Sequence, residues 1–494
     1  MLETDPAALA SHERLVRALL GGTVLPGHPG SRRLIQTHIS SLVLAGAFAY
    51  KLRKPLALPF LDFSSPALRR DDCLEELRLN RRTAPTLYLD VLPVLGTADD
   101  PRLGGAGDAA PQAIDWLLRM RRFDEADVLA NVAARGELTE AMVDALAAEL
   151  AAFHRALPPS PAPFGSAAIV RRWLGETLAG LAAAGDARVE PLRAWCEREA
   201  ARLAPLIDER RARGFVREGH ADLHLANIVL VGGVPQPFDA VEFNAELRHV
   251  DVVHDIAFTF MDLMRHGLPA LAWRFAGAWA ERSGDVEGLT LLRFFAVERA
   301  LVRSRVALLR ADPDALERDL ALAARLATSP PPAPLLVLVC GLSGSGKSTV
   351  AQRLAQEMSG IRLRSDVERK RLHGLAATER PAADQVPMLY GREATRRTYA
   401  RLGDLARTLL DAGIPAIVDA AALRRDERDA LRALAATRGA AFALVECDAP
   451  EPVLRERIAR RQREAADASD ADLAVLDLQL RVCEPVQPDE TAQR

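Results

Sequence analysis

Gly341-Leu342-Ser343-Gly344-Ser345-Gly346-Lys347-Ser348 is the stretch on which the reading of this chain turns. It matches G-x-x-x-x-G-K-[ST], with the apolar run Leu335-Leu-Val-Leu-Val-Cys340 before it and a helix-forming stretch, 349–357, after it. In that setting the glycines let backbone N–H groups converge on phosphate oxygens, and the helix N-terminus adds partial positive charge. Lys347 is placed to reach the β- and γ-phosphates of ATP, and the Ser348 hydroxyl to ligate Mg²⁺. The expected cradle is Gly341, Ser343, Gly344, Ser345, Gly346, Lys347, Ser348 and Thr349. Lysine is scarce in this chain. Of 64 basic residues only Lys51, Lys54, Lys347 and Lys370 are lysine, so a lysine marks a place where a compact ammonium is wanted rather than a planar guanidinium.

Downstream of the loop, short apolar strands expected at 335–340, 362–365, 416–419 and 442–447 alternate with helices. That alternation predicts a three-layer α/β/α domain on a parallel sheet. Arg364-Ser-Asp366-Val-Glu-Arg369 follows the second strand, at the crevice by the strand ends where such folds bind substrates. Asp366 there either orients or deprotonates an acceptor hydroxyl, or caps a helix. Arg369 either holds an anionic group or lies on a solvated basic face. Asp419, ending the strand Ile417-Val418-Asp419, suits Mg²⁺ through water, and suits a structural turn almost equally. Arg457 and Arg461 fall on one helix face, as lid arginines that neutralise a transferring phosphoryl group or as a solvated surface. With these elements, 335–485 resembles the small P-loop kinases, the group of gluconate kinase, zeta toxin and polynucleotide kinase. The resemblance implies phosphoryl transfer to a small acceptor and does not choose the acceptor.

Upstream, Ser329-Pro-Pro-Pro-Ala-Pro334 breaks a helical pattern predicted over 289–327. The expected organisation is therefore a first domain over 1–328, a proline-rich linker at 329–334 and a second domain over 335–494. The first domain opens sheet-rich. Residues 41–51 read as two strands meeting near Gly46, a helix is expected over 70–82, and a strand pair over 87–94 and 113–120. Helices dominate from 126 onward, giving a small sheet-rich lobe before a larger helical one.

Gly219-His220-Ala221-Asp222-Leu-His224-Leu-Ala-Asn227 carries a second constellation. Asp222 precedes Asn227 by five, the spacing in which an Asp orients the acceptor hydroxyl and an Asn coordinates Mg²⁺. Twelve residues on, Asp239 follows a predicted short strand pair and is placed as the main metal carboxylate. Lys51 ends a strand of the small lobe, where it would pair the α- and β-phosphates, held by Glu76, with Glu75 as a rival. The stretch 116–120 is a candidate strand for adenine to lie against. These residues resemble the aminoglycoside phosphotransferase-like branch of the protein-kinase-like fold, over 30–310. Its pattern H-G-D-L-H-x-x-N appears here with Ala221 in place of Gly. The resemblance implies a bilobal fold and makes Asp251 and Asp255 acidic structural supports. The whole chain resembles a fusion of such a kinase with a P-loop kinase. One departure stands out: no G-x-G-x-x-G loop is found, and Thr37-His38-Ile39-Ser40-Ser41 occupies its place, so phosphate cover is expected from hydroxyls and backbone N–H groups.

Composition fits this reading. The 494 residues exceed one core, and 49% hydrophobic with 27% charged residues is ordinary for globular protein. A net charge of −3 gives no reason to expect a standing nucleic-acid or membrane partner. Apolar runs are far short of a bilayer span, and the acidic start Met1-Leu-Glu-Thr-Asp5 lacks the order of a secretory signal. Five scattered cysteines without a C-x-x-C read as reduced thiols, and a cytoplasmic location is expected. Three functions follow. The first is a bifunctional Mg-ATP-dependent phosphotransferase acting on small-molecule hydroxyl acceptors in one or both domains. The second is a nucleotide-dependent switch with a degenerate kinase fold as ligand sensor. The third, ranked below both, is drug phosphorylation.

Overall fold

The alternating run from Ser40 to Arg53 forms the hairpin the sequence predicts. Strand β2 (Ser40–Ala45) and strand β3 (Phe48–Arg53) are antiparallel and turn at Gly46, whose φ of 58° favours glycine. The computed structural model describes residues 5–58, 61–107, 110–182, 184–328, 333–377, 379, 386–464 and 471–491. They fall into two compact units. One comprises Met1–Leu138, Ala156–Ile169 and Pro205–Phe258; the other comprises Thr139–Arg155, Val170–Ala204 and Thr259–Arg494.

In the first unit, β2 and β3 join β1 (Arg33–Gln36), β4 (Tyr88–Gly96), β5 (Pro101–Leu103) and β6 (Asp115–Arg121) in one sheet, ordered β1-β2-β3-β6-β4-β5. Period-two alternation sorts its residues to two faces. Val43, Ala45, Tyr50 and Leu52 pack with Leu15, Val16 and Leu19 of helix α1 (Pro6–Gly21). Helix α2 (Pro66–Asn80) covers the opposite face, where its Cys73 and Leu77 meet Trp116 and Leu118. Ser65 caps α2 and Pro66 fills its first turn, where a missing N–H costs nothing. Lys51 and Arg53, two apart on β3, therefore both face α2. The second predicted hairpin is present as β7 (Ile228–Val231) and β8 (Val234–Pro237).

Strand β6 lies between β3 and β4, so its backbone groups are taken up by both neighbours. This corrects the expectation for 116–120: a base would meet open backbone groups only beyond that strand.

The second unit centres on four parallel strands ordered β10-β11-β9-β12: β9 (Leu335–Cys340), β10 (Ile361–Arg364), β11 (Ala416–Asp419) and β12 (Ala441–Glu446). Residues 336–340 of β9 are all buried, as expected of a parallel strand with both faces covered. On the sheet lie α4 (Lys347–Glu357), α5 (Ser365–Leu372) and α6 (Arg392–Asp411), while α7 (Glu451–Glu464) and α8 (Leu473–Val482) pack on each other and on Leu342. The same unit takes in α3 (Pro269–Ser283), which packs on α4 and β10. The helical pattern expected over 289–327 is two helices, Leu292–Leu309 and Pro313–Thr328. The chain breaks between them at Ala311, φ 52°, just ahead of Pro313. Of the expected linker, 329–332 lies outside the described residues. Among the described residues no helix is long and apolar enough to cross a membrane.

Candidate functional site

In the first unit the sheet and α2 bring Lys51 to Glu76. Lys51 Nζ lies 2.8 Å from Glu76 Oε1 and 2.9 Å from Asp239 Oδ1. Between the rivals, Glu76 is the partner, while Glu75 pairs with Arg78 (2.8 Å) and Arg248 (2.6 Å). Burial works against the Lys51 charge, and Asp239 and Glu76 outweigh it, so its pKa is raised.

Arg53, fully buried beside Lys51, was not singled out by the sequence. It donates to Asp72 Oδ2 (2.5 Å), Glu76 Oε2 (2.5 Å), Glu242 Oε1 (2.6 Å) and Ser40 Oγ (3.1 Å). Two cations thus face four carboxylates, Asp72, Glu76, Asp239 and Glu242. Burial pushes Glu242 up to about 7, with Arg53 opposing and Glu76 adding to the shift. Asp239 is held below its ordinary value. Burial acts against this, and the Lys51 ammonium overcomes it. The signals for the missed members were spacing: Arg53 shares a strand face with Lys51, Asp72 precedes Glu76 by one helical turn, and Glu242 follows Asp239 by three.

Asp222 and Asn227 meet as their spacing predicts. Asn227 Nδ2 donates to Asp222 Oδ2 (2.8 Å) and to the Asp222 carbonyl (3.1 Å), which leaves Oδ1 as the group to offer a cation. The turn before them is held in an uncommon shape. Ala221 has φ 68°, the left-handed conformation for which glycine is the usual residue. Asp255 fixes it by accepting the N–H groups of His220 (2.9 Å) and Ala221 (2.7 Å). Burial lowers the His220 pKa, with Asp255 and Asp222 opposing. The neutral ring donates from Nε2 to the Phe238 carbonyl (3.0 Å) and accepts the Asp222 N–H at Nδ1 (3.4 Å). Asp251 pairs with buried Arg210 at 2.8 and 3.0 Å, so Asp251 and Asp255 are supports of the kind expected.

One expectation is corrected. The Ser40 and Ser41 hydroxyls are buried and engaged: Arg53 donates to Ser40, and Ser41 meets His12 (2.9 Å) and Gln36 (3.2 Å). They do not face a nucleotide.

In the second unit the loop after β9 has the shape its glycines predict. Gly341 has φ 136°, and a Cβ there would stand 2.1 Å from the Cys447 carbonyl oxygen. Gly346, φ 94°, is the N-cap of α4 and has no side chain closing the helix end. The Ser345 hydroxyl is buried without a hydrogen-bond partner among the described residues. Three of the four lysines have partners: Lys51 as above, Lys54 at the Thr37 carbonyl and Lys370 at the Ala377 carbonyl. Lys347 alone has none among the described residues.

The remaining candidates separate. Asp366 sits in the first turn of α5, half-buried; the N-cap position belongs to Arg364, so Asp366 is not the cap. Asp419 ends β11 beside β9, buried, with its Oδ2 3.8 Å from Arg364 Nε. Arg369 is drawn inward, donating to the Leu389 carbonyl (2.9 Å) and Thr395 Oγ1 (3.2 Å) with its guanidinium over the Tyr390 ring. It is not on a solvated face, and its buried Nε has no hydrogen-bond partner among the described residues. Arg457 reaches the loop, donating to the Gly344 carbonyl (3.1 Å), whereas Arg461 donates to the Ala471 carbonyl (2.8 Å). Gln479 of α8, which no sequence signal marked, accepts the Ser343 N–H at 2.8 Å.

Both sites fit the groups their motifs imply. In the first, surplus negative charge surrounds Asp239, whose side chain is 47% exposed while that of Glu76 is 1% exposed. A carboxylate and an amide oxygen suit Mg²⁺, which keeps most of its waters. In the second, an orphaned hydroxyl, an open helix N-terminus and an unpartnered ammonium converge on one loop, as an oligophosphate requires.

The fold and these residues define a protein-kinase-like domain joined in one chain to a P-loop domain. A family model described as "AAA domain" matches residues 336–486. The chain belongs to the family of the mycobacterial proteins named "Uncharacterized protein Rv2004c" of Mycobacterium tuberculosis and "Uncharacterized protein Mb2027c" of Mycobacterium bovis. Each is 31% identical over 466 residues, covering 89% of this chain and 88% of the relative. Among solved structures it is similar to the GDP and kanamycin complex of APH(2")-IIia, at 13% identity and a TM-score of 0.39, over 64% of this chain and 98% of that one. It is also similar to a gluconokinase from Sinorhizobium meliloti 1021, at 26% identity and a TM-score of 0.22, over 32% of this chain and 78% of that one.

Proposed function

We propose that the chain is a Mg-ATP-dependent phosphotransferase with two nucleotide sites, each directed at a hydroxyl of a small molecule. The observation that carries this reading is Lys347, a rare lysine left unpartnered among the described residues at a loop whose glycines take positive φ. There the loop N–H groups and Lys347 would bind the phosphates, Ser348 and Asp419 would hold Mg²⁺, Asp366 would orient the acceptor hydroxyl, and Arg457 would neutralise charge on the transferring group. In the kinase-like domain Lys51, steadied by Glu76, would bind phosphates, Asn227 and Asp239 would hold Mg²⁺, and Asp222 would orient the acceptor. Bound Mg²⁺ supplies charge neutralisation of the phosphates in both sites.

A screen of ATP consumption by the full chain, against sugars, nucleosides and polyols, tests this. Acceptor-dependent consumption lost in Lys347→Ala or in Asp239→Ala supports it. Consumption that needs no acceptor favours a second reading, a nucleotide switch with the kinase-like domain as ligand sensor. Buried Ser40 and Ser41, where a phosphate-covering loop was expected, favour that second reading for the first domain.

A further inference from the structure

Asp239, the carboxylate proposed above to hold Mg²⁺, has φ 61°, a backbone conformation that residues other than glycine seldom take. Such a conformation persists where its surroundings hold it, and here the holders come from the small lobe. Tyr88, the first residue of β4, accepts the Asp239 N–H at its hydroxyl oxygen (3.1 Å). Asn80, the last residue of α2, accepts the next N–H, that of Ala240, at Oδ1 (2.9 Å). Both side chains are buried, Asn80 at 0% exposed and Tyr88 at 2%. Each also reaches Glu76. Asn80 Nδ2 donates to the Glu76 carbonyl (2.9 Å), and the Tyr88 hydroxyl donates to Glu76 Oε1 (3.5 Å), the oxygen that also holds Lys51. Burial, with Glu76 and Asp239 adding to it, pushes the Tyr88 pKa up, so the phenol keeps its proton. The flanks of the turn are fixed separately, by the Phe238 N–H on the Asn227 carbonyl (2.9 Å) and the Val241 N–H on the His220 carbonyl (3.1 Å).

We propose that Tyr88 and Asn80 are positioning residues for Asp239: by accepting two consecutive N–H groups they hold its backbone left-handed and so aim its carboxylate at Lys51 and the metal position. The proposal rests on the reading of Asp239 as a Mg²⁺ ligand of the kinase-like site. Glu76 and Asp239, the two carboxylates that Lys51 touches, are thereby set by the same two side chains. Without either acceptor a buried N–H is left unpaired. The backbone at 239–240 then relaxes toward an ordinary negative φ and carries the carboxylate from its place. Mg²⁺ demands near-ideal ligand geometry, so this displacement weakens metal binding before it weakens nucleotide binding. A general loosening of the fold would weaken both together.

The test is calorimetric titration of ADP into the full chain carrying Lys347→Ala, which leaves the kinase-like site to bind, over a series of Mg²⁺ concentrations. Tyr88→Phe and Asn80→Ala are each expected to raise the Mg²⁺ concentration giving half-maximal enhancement of ADP affinity about tenfold, with metal-free affinity no lower. In a chain that also carries Asp239→Ala, Tyr88→Phe should change ADP affinity no further at any Mg²⁺ concentration, because its effect runs through that carboxylate. An unchanged Mg²⁺ requirement, an equal loss of metal-free affinity, or a Tyr88→Phe effect that persists without Asp239 overturns the proposal. If Asn80→Ala does not fold, Tyr88→Phe, which removes one oxygen and keeps the packed ring, decides alone. Absence of ADP binding in the Lys347→Ala parent that carries the native Tyr88 and Asn80 would overturn the nucleotide reading of this domain itself, a distinguishable result.

Discussion

Lys51 and Asp239 stand 188 positions apart in the chain, and their side chains meet at 2.9 Å. The ammonium sits against the most open carboxylate of a buried cluster in which four acids surround two bases. The arrangement is a cation site already half built. On the proposed reading lysine suits it, because a compact ammonium can leave Asp239 for a phosphate more readily than a forked guanidinium could.

The cluster predicts a pH dependence. Glu242 is raised from 4.5 to about 7 by burial. A carboxyl raised in the folded state binds its proton more tightly there than in the unfolded chain. It therefore favours folding below pH 4.5, and that contribution is lost as pH rises toward 7. Comparing the native chain with Glu242→Gln, the native chain's relative stability should fall by at most about 3 kcal/mol between those limits. Urea midpoints at pH 5 and pH 7.5 measure this; a difference that grows with pH contradicts the assignment.

Asp251 should be structural and nothing more. It shares a bidentate contact with Arg210, and both are buried. Asp251→Ala strands the guanidinium and should cost about 3–5 kcal/mol. Asp251→Asn, which keeps one acceptor, should cost less. Chemical denaturation ranks the two, and equal costs would show that the retained amide oxygen contributes nothing once the charge is gone, contrary to this expectation.

Much of both sites was legible because the decisive signals are local. The phosphate loop lies between its own strand and helix, and Asp222 with Asn227 spans a single turn. Lys51 was found from its place at the end of a small-lobe strand, and Glu76 as one of two rivals on the helix that follows. Many of the missed residues act across long separations, and two of them, Arg53 and Arg364, are arginines among 60, where no single one stands out. Arg53 and Arg364 are buried organisers of carboxylates, yet in the sequence they look like any surface charge. Gln479 reaches the loop from 136 positions away. The break near 329–334 marked a change in composition. The α3 helix nevertheless packs with the parallel sheet, and its Glu281 pairs with Arg362 and Arg364 of β10.

Asp366 has no cap to serve, so its replacement should affect chemistry alone. Asp366→Asn is expected to leave ADP affinity within about twofold and to lower acceptor phosphorylation by about a hundredfold or more. Titration and turnover on an acceptor from the screen give both numbers. Normal turnover would remove Asp366 from the mechanism.

Lys347→Arg should fail as fully as Lys347→Ala. A guanidinium is bulkier and planar, and does not present a compact point charge to the phosphates. Retained affinity in the arginine variant, measured by titration in the full chain, would show that charge alone suffices there.

The number of nucleotides bound per chain at saturation tests the central claim most directly. On the proposed reading each site has its own ammonium, metal ligands and hydroxyl-orienting acid, so the account predicts two ATP per native chain in the presence of Mg²⁺. Lys347→Ala should bind one, at the kinase-like site. Asp239→Ala should leave the P-loop site filled and silence Mg²⁺-dependent turnover at the other. A native chain that binds one ATP, with Lys347→Ala binding none, would contradict the account and leave the kinase-like domain without a nucleotide.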